Sequence, residues 1–188
     1  MSTEALRLFI AADLPAGVRD ALAAWGEAAA RRDRALRALA PGTLHVTIAF
    51  LGERPPADVD GARAALHAAA GAAPAPVRLE LAGALWLSPR RPHVLTVAVT
   101  DVAGALAGLH ARLTGELERR IGFEGEGRPL RPHVTVARVR GGRRPRRRGL
   151  EPVPQGAFRA PSLTLYRSDL GPAGAAHVPL ERIELPAG

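Results

Sequence analysis

Hydrophobic and polar positions along the chain fall into blocks that predict a succession of strands and helices. Residues 6–12 form a mostly apolar run, which is typical of a buried strand. Residues 44–51 instead alternate apolar and polar positions, which indicates a strand with one covered face. The predicted strands span residues 6–12, 36–39, 44–51, 77–84, 93–100, 131–138, 158–167 and 177–185, and the predicted helices span residues 14–34, 58–70 and 101–121.

Capping and turn signals mark the ends of these segments. We expect Asp13 to be the N-cap of the first helix, with Pro15 in its first turn. Gly71 is expected to end the second helix, and a linker with Pro74 and Pro76 follows it. A chain of 188 residues is long enough for one domain with a sizeable core, or for two small lobes that share one.

A histidine and a threonine stand two positions apart in the segment RPHVTVAR at residues 131–138. Side chains at positions i and i+2 of a strand share a face, so His133 and Thr135 are expected to lie side by side. An imidazole beside a hydroxyl can bind an anion and move a proton. The segment LHVTIAF at residues 44–50 carries the same pair, as His45 and Thr47.

The two histidine-threonine pairs belong to a longer internal correspondence. Their histidines are 88 positions apart, and sliding residues 6–50 onto residues 94–138 by the same offset also aligns Asp13 with Asp101. Each segment reads as strand, acidic turn, helix, loop and strand. We therefore predict a single domain over residues 1–188, made of two pseudo-symmetric halves with a cleft between them that holds both pairs.

These residue types can support the cleavage of a phosphate ester by acid and base catalysis. Two imidazoles with intrinsic pKa values of ~6.5 can take a proton from an attacking water and give one to the leaving oxygen. Thr47 and Thr135 can donate hydrogen bonds to the non-bridging oxygens, and the guanidinium of Arg138 can neutralise them. In-line displacement favours one histidine on each side of phosphorus. The residues themselves do not say which histidine is the acid.

Four segments resemble the two-histidine (2H) phosphoesterases, and among them the bacterial RNA 2′,3′-cyclic phosphodiesterases of the LigT or ThpR type, also called 2′-5′ RNA ligases. They are LRLFIA at residues 6–11, LHVTIAFLG at 44–52, RPHVTVAR at 131–138 and LYRSDLGP at 165–172. The resemblance covers nearly the whole chain. It implies an α+β, internally duplicated and bilobal fold, in which two antiparallel sheets line a central cleft with helices outside, and no metal.

The resemblance also implies roles for the residues of the cleft. His45 would protonate the departing O3′ and His133 would activate water, so that a 2′,3′-cyclic end becomes a 2′-phosphomonoester. Arg138 and Phe50 each follow their histidine by five positions and would hold the substrate, Phe50 by apolar or stacking contact with a base. The expected function is that of an RNA 2′,3′-cyclic phosphodiesterase, with reversible 2′-5′ ligation beside it. The sequence does not identify the natural RNA substrate.

Composition narrows the setting. Without cysteine the chain forms neither a disulfide nor a thiolate metal site, and a reducing cytoplasm is the expected compartment. No basic region precedes the first apolar stretch, and no apolar run approaches the ~20 residues that span a bilayer. We therefore expect no membrane binding, and we expect a monomer. The resemblance implies that the protein needs no cofactor and acts on RNA with 2′,3′-cyclic phosphate ends or on small cyclic nucleotides.

The positive charge of the chain is local. Residues 138–148 contain seven arginines and no acid, and removing these seven from the net charge of +8 leaves +1 for the remainder. Such a patch suits contact with an RNA backbone and supports the alternative of a non-catalytic RNA-binding module. Aromatic residues make up only 4% of the chain, however, whereas single-strand platforms stack bases on several. A solvated loop is the other interpretation of residues 140–148.

The remaining histidines are expected to be structural, with one left open. His93 shares the RPHV context of His133, but its threonine, Thr96, comes three positions later and faces the other side of the strand. His67 and His110 lie in predicted helices without partners at a metal or catalytic spacing. A zinc site needs three or four convergent ligands, so metal hydrolysis ranks below metal-free catalysis. His177 stands where the last strand begins, and the sequence does not place it.

Overall fold

A computed structural model of the chain describes residues 4–72, 76–88, 90–125, 127–171 and 174–186. Pro74 of the predicted linker and Pro172 of the last family-like segment lie outside the described residues. In chain order the elements are β1 (Leu6–Ala12), α1 (Ala16–Arg32), β2 (Leu36–Ala38), a 3-10 turn (Pro41–Thr43), β3 (Val46–Arg54), α2 (Asp58–Gly71), β4 (Arg78–Leu87), β5 (Val94–Asp101), α3 (Ala105–Ile121), β6 (His133–Val139), β7 (Ala157–Arg159), β8 (Ser162–Gly171) and β9 (Gly174–Glu184). The predicted α+β fold class is confirmed.

The strands are hydrogen-bonded in the order β7-β4-β5-β6-β3-β1-β8-β9, and β2 pairs with β6. Every pairing among these strands is antiparallel. In the middle of this order β3 and β6 are joined by the bridging pair of Val46 with Val134. This narrow junction divides the strands into two antiparallel groups, as the two sheets of a bilobal fold require.

The strand predicted at residues 158–167 is wrong in one respect, because the structure breaks it into β7 and β8. Pro161 lies at the break, and proline lacks the N–H group that the interior of a strand uses for pairing. The chain also changes neighbours there, since β7 pairs with β4 and β8 pairs with β1. The crossing ties the two groups of strands together.

The prediction that Asp13 caps α1 is also wrong. Pro15 occupies the N-cap position of α1, where no side chain makes a capping hydrogen bond. The Asp13 carboxylate instead accepts hydrogen bonds from Ser162 Oγ at 2.6 Å, Thr164 Oγ1 at 2.6 Å and Tyr166 Oη at 2.7 Å. These three residues alternate along β8 and so share a face. The carboxylate satisfies their hydroxyls and fixes β8 beside β1.

The helices cover the apolar side of the sheet. Four leucines of α3 recur at helical spacing and are fully buried, at positions 106, 109, 113 and 117. Gly26 brings α1 close to β6, because a Cβ at this position would lie 2.9 Å from the carbonyl oxygen of Val136. No helix in the described part of the chain is long and apolar enough to cross a membrane. The opposite side of β3 and β6 is left for polar side chains.

The order β1, α1, β3 is repeated by β5, α3, β6. β1 begins at residue 6 and β5 at residue 94, α1 begins at 16 and α3 at 105, and β3 begins at 46 and β6 at 133. All three differences are close to the offset of 88 that the sequence suggested. In both segments the first strand pairs antiparallel with the second one. The division of a single domain into two related halves stays our prediction for this arrangement.

Candidate active site

The two histidine-threonine pairs meet at the junction of β3 and β6. Val46 and Val134 form the bridging pair, and both side chains are fully buried. Each valine stands between the histidine and the threonine of its own motif, whose side chains therefore point to the opposite face. Because the two strands are antiparallel, the residues next to the bridging valines lie opposite one another, so that each histidine faces the threonine of the other motif.

A cavity of about 170 Å³ opens at this junction, and all six residues that the sequence predicted for the site line it. They are His45, Thr47, Phe50, His133, Thr135 and Arg138. The wall is completed by six residues that the sequence did not single out, Arg7, Phe9, Leu39, Thr43, Ser168 and Ala175, and by His177, which it left unplaced. Pockets that enclose a whole small molecule are usually ~300–1,000 Å³, so this cleft suits the reacting end of a larger substrate.

The ring of His133 is held in one tautomer. Its Nδ1 atom lies 2.8 Å from the carbonyl oxygen of Arg131. Because a carbonyl oxygen only accepts hydrogen bonds, Nδ1 carries the proton, and Nε2 of the neutral ring is left as an acceptor. An unprotonated ring nitrogen at the cleft is what a general base requires.

The ring of His45 is in a more buried setting. Its Nε2 atom lies 3.1 Å from Thr47 Oγ1, and the ring stacks on Phe9 with centroids 4.8 Å apart. The pKa of His45 is lowered to about 4. Burial is the largest cause, and the charge of His177 is the second. A hydrogen bond to the backbone of Thr43 acts in the opposite direction. His45 is therefore neutral in the free protein at pH 7.

An aromatic cluster surrounds His45. Phe9 contacts both His45 and Tyr166, and its centroid is 5.1 Å from that of Tyr166 in a stacked arrangement. The ring of His177 meets this stack edge-on, with its centroid 4.9 Å from Phe9 and 5.4 Å from His45. Tyr166 also donates to the Asp13 carboxylate, so the cluster is continuous with the hydrogen bonds that hold β8 to β1.

The rim of the cleft carries an exposed aromatic ring. Phe50 is 42% exposed, which is unusual for so large an apolar side chain. The guanidinium carbon of Arg7 lies 4.8 Å from the centre of its ring. A second, shallower depression of about 430 Å³ lies next to the cleft and shares Arg7 and Ser168 with it. A substrate chain therefore has room to continue past the cleft.

Three other histidines are not among the residues that line the cleft, namely His67, His93 and His110. His67 Nε2 lies 3.0 Å from Glu181 Oε1 on the surface. His110 is partly buried in α3, and this burial lowers its pKa. Among the described residues, no three His, Asp or Glu side chains come together in a group that could hold a metal ion.

The arginine-rich loop, residues 140–148, lies against the end of α1. The backbone N–H of Arg146 donates to Asp33 Oδ2, and Arg32 Nη1 donates to the carbonyl oxygen of Gly149 at 3.2 Å. The side chains of Arg143, Arg144 and Arg148 are exposed. The loop thus keeps a fixed backbone position while presenting positive charge to solvent.

Known proteins resemble this chain over nearly its whole length. The profile of the 2′-5′ RNA ligase superfamily matches residues 18–172. An RNA 2′,3′-cyclic phosphodiesterase of Thermus thermophilus is 32% identical over 185 residues, covering 96% of this chain and 90% of that protein. The crystal structure of the T. thermophilus protein TT0787 is similar, with a TM-score of 0.83 at 31% identity over 96% of this chain and 98% of that one. E. coli LigT complexed with 3′-AMP has a TM-score of 0.77 at 26% identity over 97% and 99%.

Proposed function

Because this chain belongs to the 2′-5′ RNA ligase superfamily, a family of two-histidine phosphoesterases, we propose that it hydrolyses 2′,3′-cyclic phosphate ends of RNA to 2′-phosphomonoesters. The observation that carries the proposal is that His45 and His133 line one cleft, on either side of the bridge between β3 and β6. The name of the T. thermophilus relative, RNA 2′,3′-cyclic phosphodiesterase, supports the same reaction. The 3′-AMP complex of LigT supports a nucleotide as the ligand.

In the proposed reaction His133 is the general base. Its Nδ1–H is engaged with the carbonyl of Arg131, so Nε2 is the nitrogen that takes a proton from the attacking water. His45 is the general acid and delivers a proton to O3′ as that oxygen leaves phosphorus. The bond from water oxygen to phosphorus forms as the bond from phosphorus to O3′ breaks, and the phosphate stays on O2′.

An acid must carry a proton, and His45 does not carry one at pH 7 before substrate binds. The cyclic phosphate brings one negative charge. At ~4 Å and an effective dielectric of ~20, a unit charge is worth ~4 kcal/mol, or ~3 pKa units. This is enough to raise the pKa of His45 from about 4 back into the neutral range, so substrate binding itself would protonate the acid.

The remaining residues predicted for the site hold the substrate. Thr47 and Thr135 donate hydrogen bonds to the non-bridging oxygens, and Arg138 neutralises them. Phe50 stacks on the terminal base, next to Arg7. The two halves of the site are thus unequal, because the position after the first motif holds an aromatic ring and the position after the second holds a cation. Small cyclic nucleotides would fit the same groups. If the 5′-hydroxyl of a second RNA attacked phosphorus in place of water as the bond to O3′ broke, the same groups would join the two ends by a 2′-5′ bond.

One observation favours the opposite assignment, in which His45 is the base and His133 is the acid. A neutral His45 is ready to act as the base, since its pKa of about 4 leaves it unprotonated in the free protein. His133 would then be the acid. The family resemblance favours the first division, and only kinetics with altered leaving groups separate the two.

RNA binding without catalysis is the rival function, supported by the exposed arginines of residues 140–148. The test is to incubate the purified protein with a short RNA that ends in a 2′,3′-cyclic phosphate. We expect a 2′-phosphate product, lost in His45→Ala and in His133→Ala and kept in His93→Ala, the matched histidine outside the cleft. A 3′-phosphate product would contradict the orientation. Binding of the RNA without turnover would favour the rival.

A further inference from the structure

A third histidine belongs to the wall of the cleft. His177 lies on β9, where it pairs with Ser168 of β8. Its ring meets that of His45 at an interplanar angle of 82° with centroids 5.4 Å apart, and it meets Phe9 at 78° and 4.9 Å. These are edge-to-face contacts, which orient a ring more narrowly than a flat apolar surface does.

Packing alone does not explain why this residue is an imidazole. The Nδ1 atom of His177 is buried, and no hydrogen-bond partner for it lies within the described part of the chain. A buried polar atom without a partner destabilises the fold by ~1–3 kcal/mol. A phenylalanine here would make the same edge-to-face contacts without that loss, so ring packing alone would favour phenylalanine over histidine.

Charged and titratable groups face the two rings from several strands. Burial lowers the pKa of His177, and the neighbouring Arg138 guanidinium on β6 lowers it further. Asp13 after β1, Tyr166 on β8 and His133 on β6 are also close to the pair. Of these groups Asp13 favours charge on His45, whereas the positive charges of β6 and β9 oppose it.

We propose that His177 is a positioning residue for His45, an imidazole that β9 holds edge-on so that it sets both the orientation of the His45 ring and the charge that this ring carries. The inference rests on the proposed function only in what it says about turnover. In neutral solution the uncharged His177 fixes the ring plane of His45. In acid, a proton on His177 repels a proton on His45, so the two rings do not charge together.

The first test needs no activity. In His177→Phe the ring contacts stay and the charge is gone. We expect the NMR titration midpoint of the His45 ring to rise from about 4 by roughly 0.5–2 units, the effect of a unit charge 5.4 Å away at effective dielectrics between ~80 and ~20. The signal is assigned by its loss in His45→Gln. His110→Phe, a partly buried histidine outside the cleft, should leave the midpoint unchanged.

The second test separates orientation from filling of space. His177→Ala removes the edge contact, and we expect kcat on a cyclic-ended RNA to fall ~10–10²-fold with little change in KM, and His177→Phe to restore most of it at neutral pH. An unmoved His45 midpoint in His177→Phe, together with unchanged kcat in His177→Ala, would overturn the proposal. A protein that turns over no RNA would contradict the proposed function but leave the titration result standing.

Discussion

Val46 of β3 and Val134 of β6 form the bridging pair between the two groups of strands, and each is flanked by the histidine and threonine of its own motif. The placement of one histidine relative to the other thus depends on a narrow backbone pairing with two buried side chains behind it. The relationship explains how two short motifs far apart in the chain form one site. The division of roles between the two histidines therefore depends on the chemical differences between their surroundings.

The first prediction concerns the unequal histidines. His45→Ala and His133→Ala should each reduce kcat/KM by ~10²–10⁴-fold, because in the proposed reaction each variant lacks one of the two proton-transfer groups. A substrate with a better leaving group at the 3′ position needs no acid, so it should rescue His45→Ala far more than His133→Ala. Steady-state kinetics with both substrates give the comparison.

Activity of the wild type in EDTA is the control, since a reaction that needs only imidazoles should survive the chelator. Equal rescue of both variants would contradict the division of labour. Stronger rescue of His133→Ala would reverse it. Activity lost in EDTA and restored by zinc would favour a metal site instead.

The second prediction concerns pH and stability. In the unfolded chain His45 titrates at ~6.5, and in the folded protein its pKa is about 4. Between these values the unfolded state binds a proton that the folded state does not bind, so the free energy of unfolding falls as pH drops through this window. The full effect is ~3 kcal/mol, and partial exposure of the ring reduces it to about 2 kcal/mol.

Urea unfolding at pH 7 and pH 4.5 measures this effect. His110 and His177 also have lowered pKa values and add to the slope in the same direction. The comparison is therefore between wild type and His45→Gln, which should lose less stability over the same interval. Parallel pH dependence of the two proteins would contradict the lowered pKa, because it would show that His45 is already charged in the folded state at pH 4.5.

The third prediction concerns Asp13. Asp13→Ala leaves the hydroxyls of Ser162 and Thr164, which are 3% and 0% exposed, without their acceptor. We expect a loss of about 3–5 kcal/mol of unfolding free energy, because each buried unsatisfied group costs ~1–3 kcal/mol. Asp101→Ala is the matched control, since Asp101 accepts from the backbone N–H of Ala107 at an exposed site and should cost ~1 kcal/mol. Equal losses would contradict a special role for Asp13.

The site pairs were predictable from the sequence because strand alternation is local. His45 beside Thr47, and His133 beside Thr135, follow from positions two apart in the chain. Their convergence in one cleft was expected from the predicted internal repeat, and the helices were predicted from local composition. The break at Pro161 had a local signal as well, since proline rarely occupies the interior of a strand.

Other parts of the site depend on distant pairing, for which no local pattern exists. Asp13 has the sequence context of a helix cap, but its partners on β8 lie about 150 positions away and compete successfully for its carboxylate. His177 and Ser168 reach the cleft because β8 and β9 pair beside β1. The low pKa of His45 likewise comes from burial by these strands rather than from its neighbours in sequence.

The fourth prediction concerns the packing of α1 on β6. In Gly26→Ala the new Cβ would lie 2.9 Å from the carbonyl oxygen of Val136 and 3.2 Å from its Cβ, so the helix must move away from the strand. We expect destabilisation by ~1–3 kcal/mol in urea unfolding. Gly115→Ala, inside α3 with nothing within 4 Å, should instead stabilise by ~0.5–1 kcal/mol. Similar signs for the two variants would contradict this account.

The last prediction concerns the arginine-rich loop, residues 140–148. Replacing Arg143, Arg144 and Arg148 by serine removes three exposed charges, while the bond from Arg146 N–H to Asp33 keeps the loop in place. If the loop follows an RNA backbone, oligonucleotide affinity should fall. The slope of log K against log salt should flatten by ~0.7 for each phosphate that the loop no longer neutralises. Hydrolysis of a mononucleotide 2′,3′-cyclic phosphate should not change, because it reaches only the cleft.

The matched control removes the same net charge elsewhere. Arg31, Arg90 and Arg91 are exposed and lie outside the loop and the cleft, so their replacement by serine lowers the overall positive charge by the same three units. General attraction between a basic protein and RNA weakens equally in both triple variants, whereas a backbone-tracking loop weakens binding only in the first. Equal loss of oligonucleotide affinity in the two triple variants would contradict contact between the loop and an RNA backbone. A loss of activity on the mononucleotide as large as the loss on the oligonucleotide would contradict it as well.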